Sequence, residues 1–380
     1  MGPLRPHLPR PLLEHARAFG NADVPAAHPD AESPLPYGSK QLDAWTEKAA
    51  RQCRMVNQEV LMALELARIH IVRKPWGSTD LRPWHGYHNS KAAVGEVWFE
   101  RTDSAAPSPA LLLKLIFTNE PLSIQVHPAD ALARTIGLAH GKSEAWYVLA
   151  ATADARIAVG LNHQLTPAQL RLSILDGSIT ERVQWRRVRV GDSTFVPPGT
   201  IHAIGAGLVI AEVQQRSDAT FRLFDYGRNR ELHVDLGIAA ASADQRERRT
   251  PRRKLTDSRT LLVCGPRFVL ERLALPDGCL WDLDAPGETW LFTLAGAGRV
   301  GSIDVAAGIA IFLQADRARI EAGPDGLEGL VAYVGSDPAP DLLRRPNGTR
   351  MRNAACASQR ARTRREARYI DRTPTARVAS

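Results

Sequence analysis

A mainly β protein, folded as a sandwich or barrel with a smaller β unit behind it, is what this 380-residue sequence predicts. Three observations carry that expectation. Between residues 69 and 236, short β-branched and apolar runs recur at 95–100, 111–117, 124–127, 145–149, 156–159, 193–196 and 208–213, separated by Gly, Pro and Asn. Short strands at such spacing mark all-β architecture. Residues 261–334 repeat the pattern, with glycine turns such as Gly296-Ala297-Gly298. One stretch in the first unit carries strong helix signals. Thr166-Pro167-Ala168-Gln169 supplies an N-cap hydroxyl, a proline at the first helical position and a Gln three residues on; Leu170, Ile174 and Leu175 form an apolar stripe and Gly177 a stop.

The segmentation follows composition. Residues 1–61 begin without helix or strand periodicity and read either as a disordered extension or, if Met62 is the natural start, as a gene-model addition. Residues 62–241 form the first β domain. A linker at 242–258 is rich in charge (Arg246, Glu247, Arg248, Arg249, Arg252, Arg253), residues 259–336 form the second β domain, and 337–380 read as a disordered Arg-rich tail. The net charge of +8 belongs to that tail: from Arg344 onward eleven arginines stand against Glu366 and Asp371, so the tail carries +9 and the rest about −1. A basic excess confined to a tail argues against a specific nucleic-acid partner. No apolar run reaches the roughly 18 residues of a membrane span, and no signal-peptide core is evident. Cys53, Cys264, Cys279 and Cys356 show no Cys-x-x-Cys spacing, which argues against a thiolate metal site and points to the cytosol.

The chemistry starts at Ser123-Ile124-Gln125-Val126-His127-Pro128. A strand alternates faces, so Ser123, Gln125 and His127 point one way and Ile124 and Val126 the other. Such a polar row needs partners, and Lys142-Ser143-Glu144 and Pro197-Pro198-Gly199-Thr200-Ile201-His202 can supply them. Gln125, His127, Glu144 and His202 offer two imidazoles, a carboxylate and an amide oxygen, a donor set suited to zinc or another divalent ion. Lys142, two residues from Glu144, shares its strand face. The second β unit contains no His, and His85, His88, His140, His163 and His233 are assigned no role.

Residues 191–202 fit G-x5-P-x-G-x2-H, in which a strand ends in a Pro-Gly turn and re-enters the sheet with His202 aimed inward. This resembles the second motif of the cupin (jelly-roll) β-barrels, with Ala206 where an Asn often follows. Lys74-Pro75-Trp76-Gly77, the Ser123–Pro128 row, Gly141-Lys142-Ser143-Glu144, the His202 turn and the run from Gln214 to Arg222 occur in one order. Together they resemble the short bacterial form of type I mannose-6-phosphate isomerase over roughly residues 62–336. The resemblance implies a cupin-type catalytic barrel with a second, smaller β-barrel-like domain. It also implies one zinc ion per chain on Gln125, His127, Glu144 and His202, and a sugar-phosphate substrate contacted by Ser123, Lys142, Asp218 and Arg222. The reaction implied is an aldose–ketose isomerisation through a cis-enediol. Lys142 and Asp218 are rival proton-transfer bases, and Arg222 suits an enediolate or a phosphate.

Overall fold

The computed structural model describes residues 63–81, 84, 92–242, 245 and 251–346. The extension expected at 1–61, the tail beyond 346, His85 and His88 lie outside the described residues. The chain opens with β1 (Ala63–Leu66) and β2 (Arg68–Val72), then runs through β3 (Glu96–Glu100), β4 (Leu111–Thr118) and β5 (Ile124–Val126) to α1 (Asp130–Thr135). β6 (Glu144–Ala151) and β7 (Arg156–Leu161) precede α2 (Pro167–Leu175) and α3 (Ile179–Arg182). β8 (Val183–Arg187), β9 (Ser193–Val196), β10 (His202–Ile204), β11 (Leu208–Gln215), β12 (Phe221–Phe224) and α4 (Val234–Ala240) complete the first unit. The second holds β13 (Arg253–Lys254), β14 (Arg259–Cys264), β15 (Phe268–Leu275), β16 (Leu280–Asp284), β17 (Glu288–Val300), β18 (Ile303–Ala306), β19 (Ala310–Gln314), β20 (Arg317–Val334) and β21 (Leu343–Arg344).

Alternation of side chains sorts these strands into layers. A six-stranded sheet, β2-β3-β4-β11-β6-β9, faces a five-stranded sheet, β12-β5-β10-β7-β8. Trp146, Ile116, Ile157, Val159 and Ile210 pack between them. Ile124, Val126, Ala203 and Phe221 turn outward from the five-stranded sheet onto Leu170, Ile174 and Leu236 of the helices. Leu113, Leu115, Phe117 and Val213 turn outward from the other sheet onto Leu270, Phe292 and Phe312 of the second unit. Central strands such as β4 and β11 therefore bury one face in the barrel and the other in a neighbouring layer, as expected of a sandwich.

Local signals hold where chain chemistry is local. Thr166 and Gln169 form the reciprocal capping box, with Pro167 at the start of α2. Leu170 and Ile174 are buried, but Leu175 is exposed because it lies about 100° around the helix from Ile174; Ser173 takes the inward place. Gly296-Ala297-Gly298 is no turn. It lies within β17, where the register with β20 shifts, and a side chain at Gly296 (φ 74°) would collide with the Gly326 carbonyl, so the glycine makes a bulge.

Two segments expected to lie outside the domains make contacts with the fold. Residues 337–344 dock: Leu342 and Leu343 are buried and β21 pairs with β16. Arg259 binds Glu271 through two 2.8 Å contacts and donates to the carbonyls of Ala339 and Pro340. Within the charged linker, buried Gln245 accepts from Ile201 N at 2.8 Å and β13 pairs with β14 of the second unit. β1 pairs with β19, while β2, one residue later, pairs with β3 of the first unit. Among the described residues no helix is long and apolar enough to cross a membrane.

Candidate metal centre

Strand register builds the site. Gln125 stands opposite His202 on one side and Arg222 on the other, and paired residues share a face, so all three look into the barrel. Glu144 opens β6 on the facing sheet, opposite Gln214. His202 is delivered by the turn after β9, where Gly199 takes φ 82°; Gly199 N donates to His127 O at 2.8 Å, tying that turn to the His127 strand end. The buried donor atoms of His127, Glu144 and His202 all lie within 4.8 Å of one another.

The surrounding contacts orient these donors. His127 Nδ1 lies 2.6 Å from Ala219 O and His202 Nδ1 lies 2.8 Å from Thr200 O, so each imidazole donates from Nδ1 to a carbonyl and directs the lone pair of Nε2 inward. Glu144 Oε1 meets His127 Nε2 and Lys142 Nζ, each at 3.0 Å, and Glu144 Oε2 is 3.6 Å from His202 Nε2. Buried His127 Nε2 and Glu144 Oε2 lack hydrogen-bond partners, the state a cation would relieve. Gln125 Nε2 lies 3.3 Å from His202 Nε2, and its Oε1 accepts from Ser123 Oγ at 3.1 Å. Burial, reinforced by the Lys142 ammonium, pushes His127 down to about 3, and burial also lowers His202, so both rings are neutral donors near neutrality. Burial alone would raise the Glu144 carboxyl, but Lys142 and the two imidazoles outweigh it and hold Glu144 well below the usual carboxylate range. Two imidazole nitrogens and a carboxylate, with an amide beside them, fit a divalent ion.

Of the expected substrate contacts, Lys142 sits at the cluster just before β6 begins, not on the strand itself. Ser123 is buried beside Gln125. Arg222 is half-buried with Nε donating to Glu231 O at 3.0 Å; its backbone N donates to His233 Nδ1, which gives that histidine a structural role. Asp218 is not brought to the cluster. It is exposed on the wall of a cavity of about 470 Å³ whose lining includes Trp98, Arg216 and Thr220. Thr220 Oγ1 lies 3.5 Å from Lys142 Nζ, so cavity and cluster adjoin.

The sequence reading missed a second buried group on the same sheet face. Lys114 Nζ lies 2.9 Å from Glu212 and 3.7 Å from Glu96, and Glu212 accepts from Trp146 Nε1 at 3.1 Å. Trp146 packs edge-on against the His202 ring. Burial, aided by nearby Glu144, pushes Glu212 up to about 7. The signal available was parity: Glu212 and Gln214 alternate with buried Ala211 and Val213, and Lys114 interrupts an apolar run. Trp76 is stacked by Arg230 at 4.9 Å and Arg228 at 5.9 Å, both tied to Asp225.

The chain matches no protein-family model. It is 30% identical over 269 residues to the mannose-6-phosphate isomerase of Streptococcus mutans, covering 60% of this chain and 84% of that protein. This chain belongs to the mannose-6-phosphate isomerase family. A Bacillus subtilis mannose-6-phosphate isomerase is 40% identical over 135 residues, 34% of this chain and 42% of the relative. The crystal structure of mannose 6-phosphate isomerase from Bacillus subtilis superposes with a TM-score of 0.63 at 23% identity, covering 71% of this chain and 99% of that one. A substituted phosphomannose isomerase from Salmonella typhimurium gives 0.59 at 14%, covering 72% and 99%; at these identities the likeness speaks to fold. As a member of the mannose-6-phosphate isomerase family, the chain is an aldose–ketose isomerase.

Proposed function

We propose that this enzyme interconverts mannose 6-phosphate and fructose 6-phosphate through a cis-enediol, using one divalent ion, zinc by its donor set, held by Gln125, His127, Glu144 and His202. The observation that carries the reading is the buried convergence of His127, Glu144 and His202 with their Nε2 and carboxylate atoms turned to one point. A bound divalent ion would act as a Lewis acid on the substrate oxygens that gain negative charge.

Lys142, whose Nζ sits 3.0 Å from Glu144, acts as the free amine when it takes the proton from C2 and as the ammonium when it returns that proton to C1. Asp218, exposed on the cavity wall, is the less favoured base and serves the approach to the site. Ser123 and Arg222, on the inner face beside Gln125, orient the sugar phosphate, Arg222 as a fixed positive fork. Cys264 and Cys279 are thiols that form no disulfide with each other, which suits a cytosolic enzyme.

The test is metal content per chain together with a coupled assay on mannose 6-phosphate, with and without chelator, in the parent and in Glu144→Gln. The expected result is one divalent ion in the parent, loss of turnover with chelator, and loss of both metal and turnover in the variant. Metal-free protein with full turnover sinks the metal reading, and metal-bound protein that turns over only another sugar phosphate sinks the substrate assignment.

A further inference from the structure

Three successive amides, those of Gly141, Lys142 and Ser143, enter β6 outside any strand pairing, and each is pinned separately. Gly141 N donates to Asp130 Oδ1 at 2.8 Å, Lys142 N to Pro128 O at 3.1 Å, and Ser143 N to Gln215 Oε1 at 3.0 Å. The two side chains also meet, Gln215 Nε2 lying 3.4 Å from Asp130 Oδ1. Gln215 is buried at the end of β11, and Asp130 begins α1 three residues after His127. The outer carboxylate oxygen of Asp130 is gripped by Arg267, which stands between β14 and β15 of the second unit. An unbroken run of contacts thus leads from the second β unit to the backbone on both sides of Lys142.

We propose that Asp130, Gln215 and Arg267 are positioning residues for Lys142, and that through them the second β unit takes part in setting the geometry of the reaction. The proposal rests on the reading of Lys142 as the proton-transfer group. The relay acts through placement: a hydrogen-bonded amide on each side of residue 142 limits where its ammonium can reach. Displacement by about 1 Å of a group that moves a proton can cost about a hundredfold in rate. Asp130 and Gln215 touch neither the metal donors nor Lys142 Nζ among the contacts described above.

The experiment compares Gln215→Leu, Arg267→Ala and Arg267→Lys with the parent, measuring kcat, KM, metal per chain and Tm; Lys142→Met serves as the control on the premise. Gln215→Leu is expected to lower kcat by about 10- to 100-fold, with KM within about twofold and metal content unchanged. Arg267→Ala, at a half-exposed position where folding is not at stake, is expected to lower kcat several-fold, and Arg267→Lys to recover most of it. In an Asp130→Asn background, Arg267→Ala should add little further loss, because the two act as one unit. Parental kcat in both Gln215→Leu and Arg267→Ala, with Lys142→Met inactive, overturns the relay and leaves the role of Lys142 standing. Losses in kcat that track metal content or Tm overturn it too. Full kcat in Lys142→Met removes the premise and the relay with it.

Discussion

Replacing Lys114 with Met should be among the most damaging single changes inside the barrel, and its cost can be worked from three side chains. The Lys114 side chain is 8% exposed, that of Glu212 3% and that of Glu96 9%. At separations of 2.9 and 3.7 Å and an effective dielectric of about 20, the gross attractions are about 6 and about 4 kcal/mol. Most of that is offset by desolvation, but the variant keeps two buried acidic groups and loses their cation, leaving Glu212 to stay charged out of water or to take up a proton. Removing one partner of a buried pair typically costs about 3–5 kcal/mol. Glu96 retains Lys74 at 3.7 Å, which places the expected loss toward the lower end of that range. For a folded body of this size the melting temperature should drop by roughly 10 °C. The double variant Lys114→Met with Glu212→Leu removes the stranded charge and should recover most of the loss. Thermal and urea unfolding of parent, single and double variants measure this directly. A single variant costing under about 1 kcal/mol, or a double variant no better than the single, would refute the claim that these charges are held out of water.

Two further outcomes follow from other parts of the fold. Glu288 accepts the amides of Ala110 and Leu111 at 2.5 and 2.7 Å, yet burial outweighs them and raises its carboxyl. Above the ordinary carboxylate range the native state therefore keeps a proton that the unfolded chain has released, so the stability this group contributes is full at acid pH and lost as pH rises. Glu288→Gln lacks that slope, and its Tm should gain on the parent's as pH rises above the ordinary carboxylate range; parallel curves would count against the shift. Gly199→Ala forces a side chain into φ 82° with contacts of 3.1 Å to Ala240 and Ser242, and should cost about 1–3 kcal/mol. Because His202 follows three residues later, metal content should fall with it, and a fully metallated variant would separate that turn from the site.

Readability from sequence tracked the range of the interaction involved. The Ser123–His127 row was readable because period-2 alternation is a property of a single strand, and the core packing of Ile124 and Val126 bears out its parity. The turn before His202 was readable because Pro-Gly chemistry acts over a few residues. Lys114 and Glu212 were not, since a lone charge in an apolar run states nothing about the opposite charge it meets a strand away. Asp218 and Lys142 looked equivalent as bases because nothing local says which side chain reaches Glu144. The docking of residues 337–344 was hidden for a similar reason: the segment runs into the Arg-rich stretch that begins at Arg344 and reads as solvated charge, while the groups that retain it, Arg259 and Glu271, lie far upstream.

The crossing of β1 and β2 between sheets bears on how the molecule is made. Ala63–Leu66 emerges from the ribosome long before Ala310–Gln314, its hydrogen-bonding partner, so that edge must wait for nearly all of the domain to be synthesised. Cutting the gene at 242–258 would yield one fragment carrying an unmatched strand and another missing its outermost rung. Mixing the two fragments should restore the β1–β19 pairing that each alone lacks.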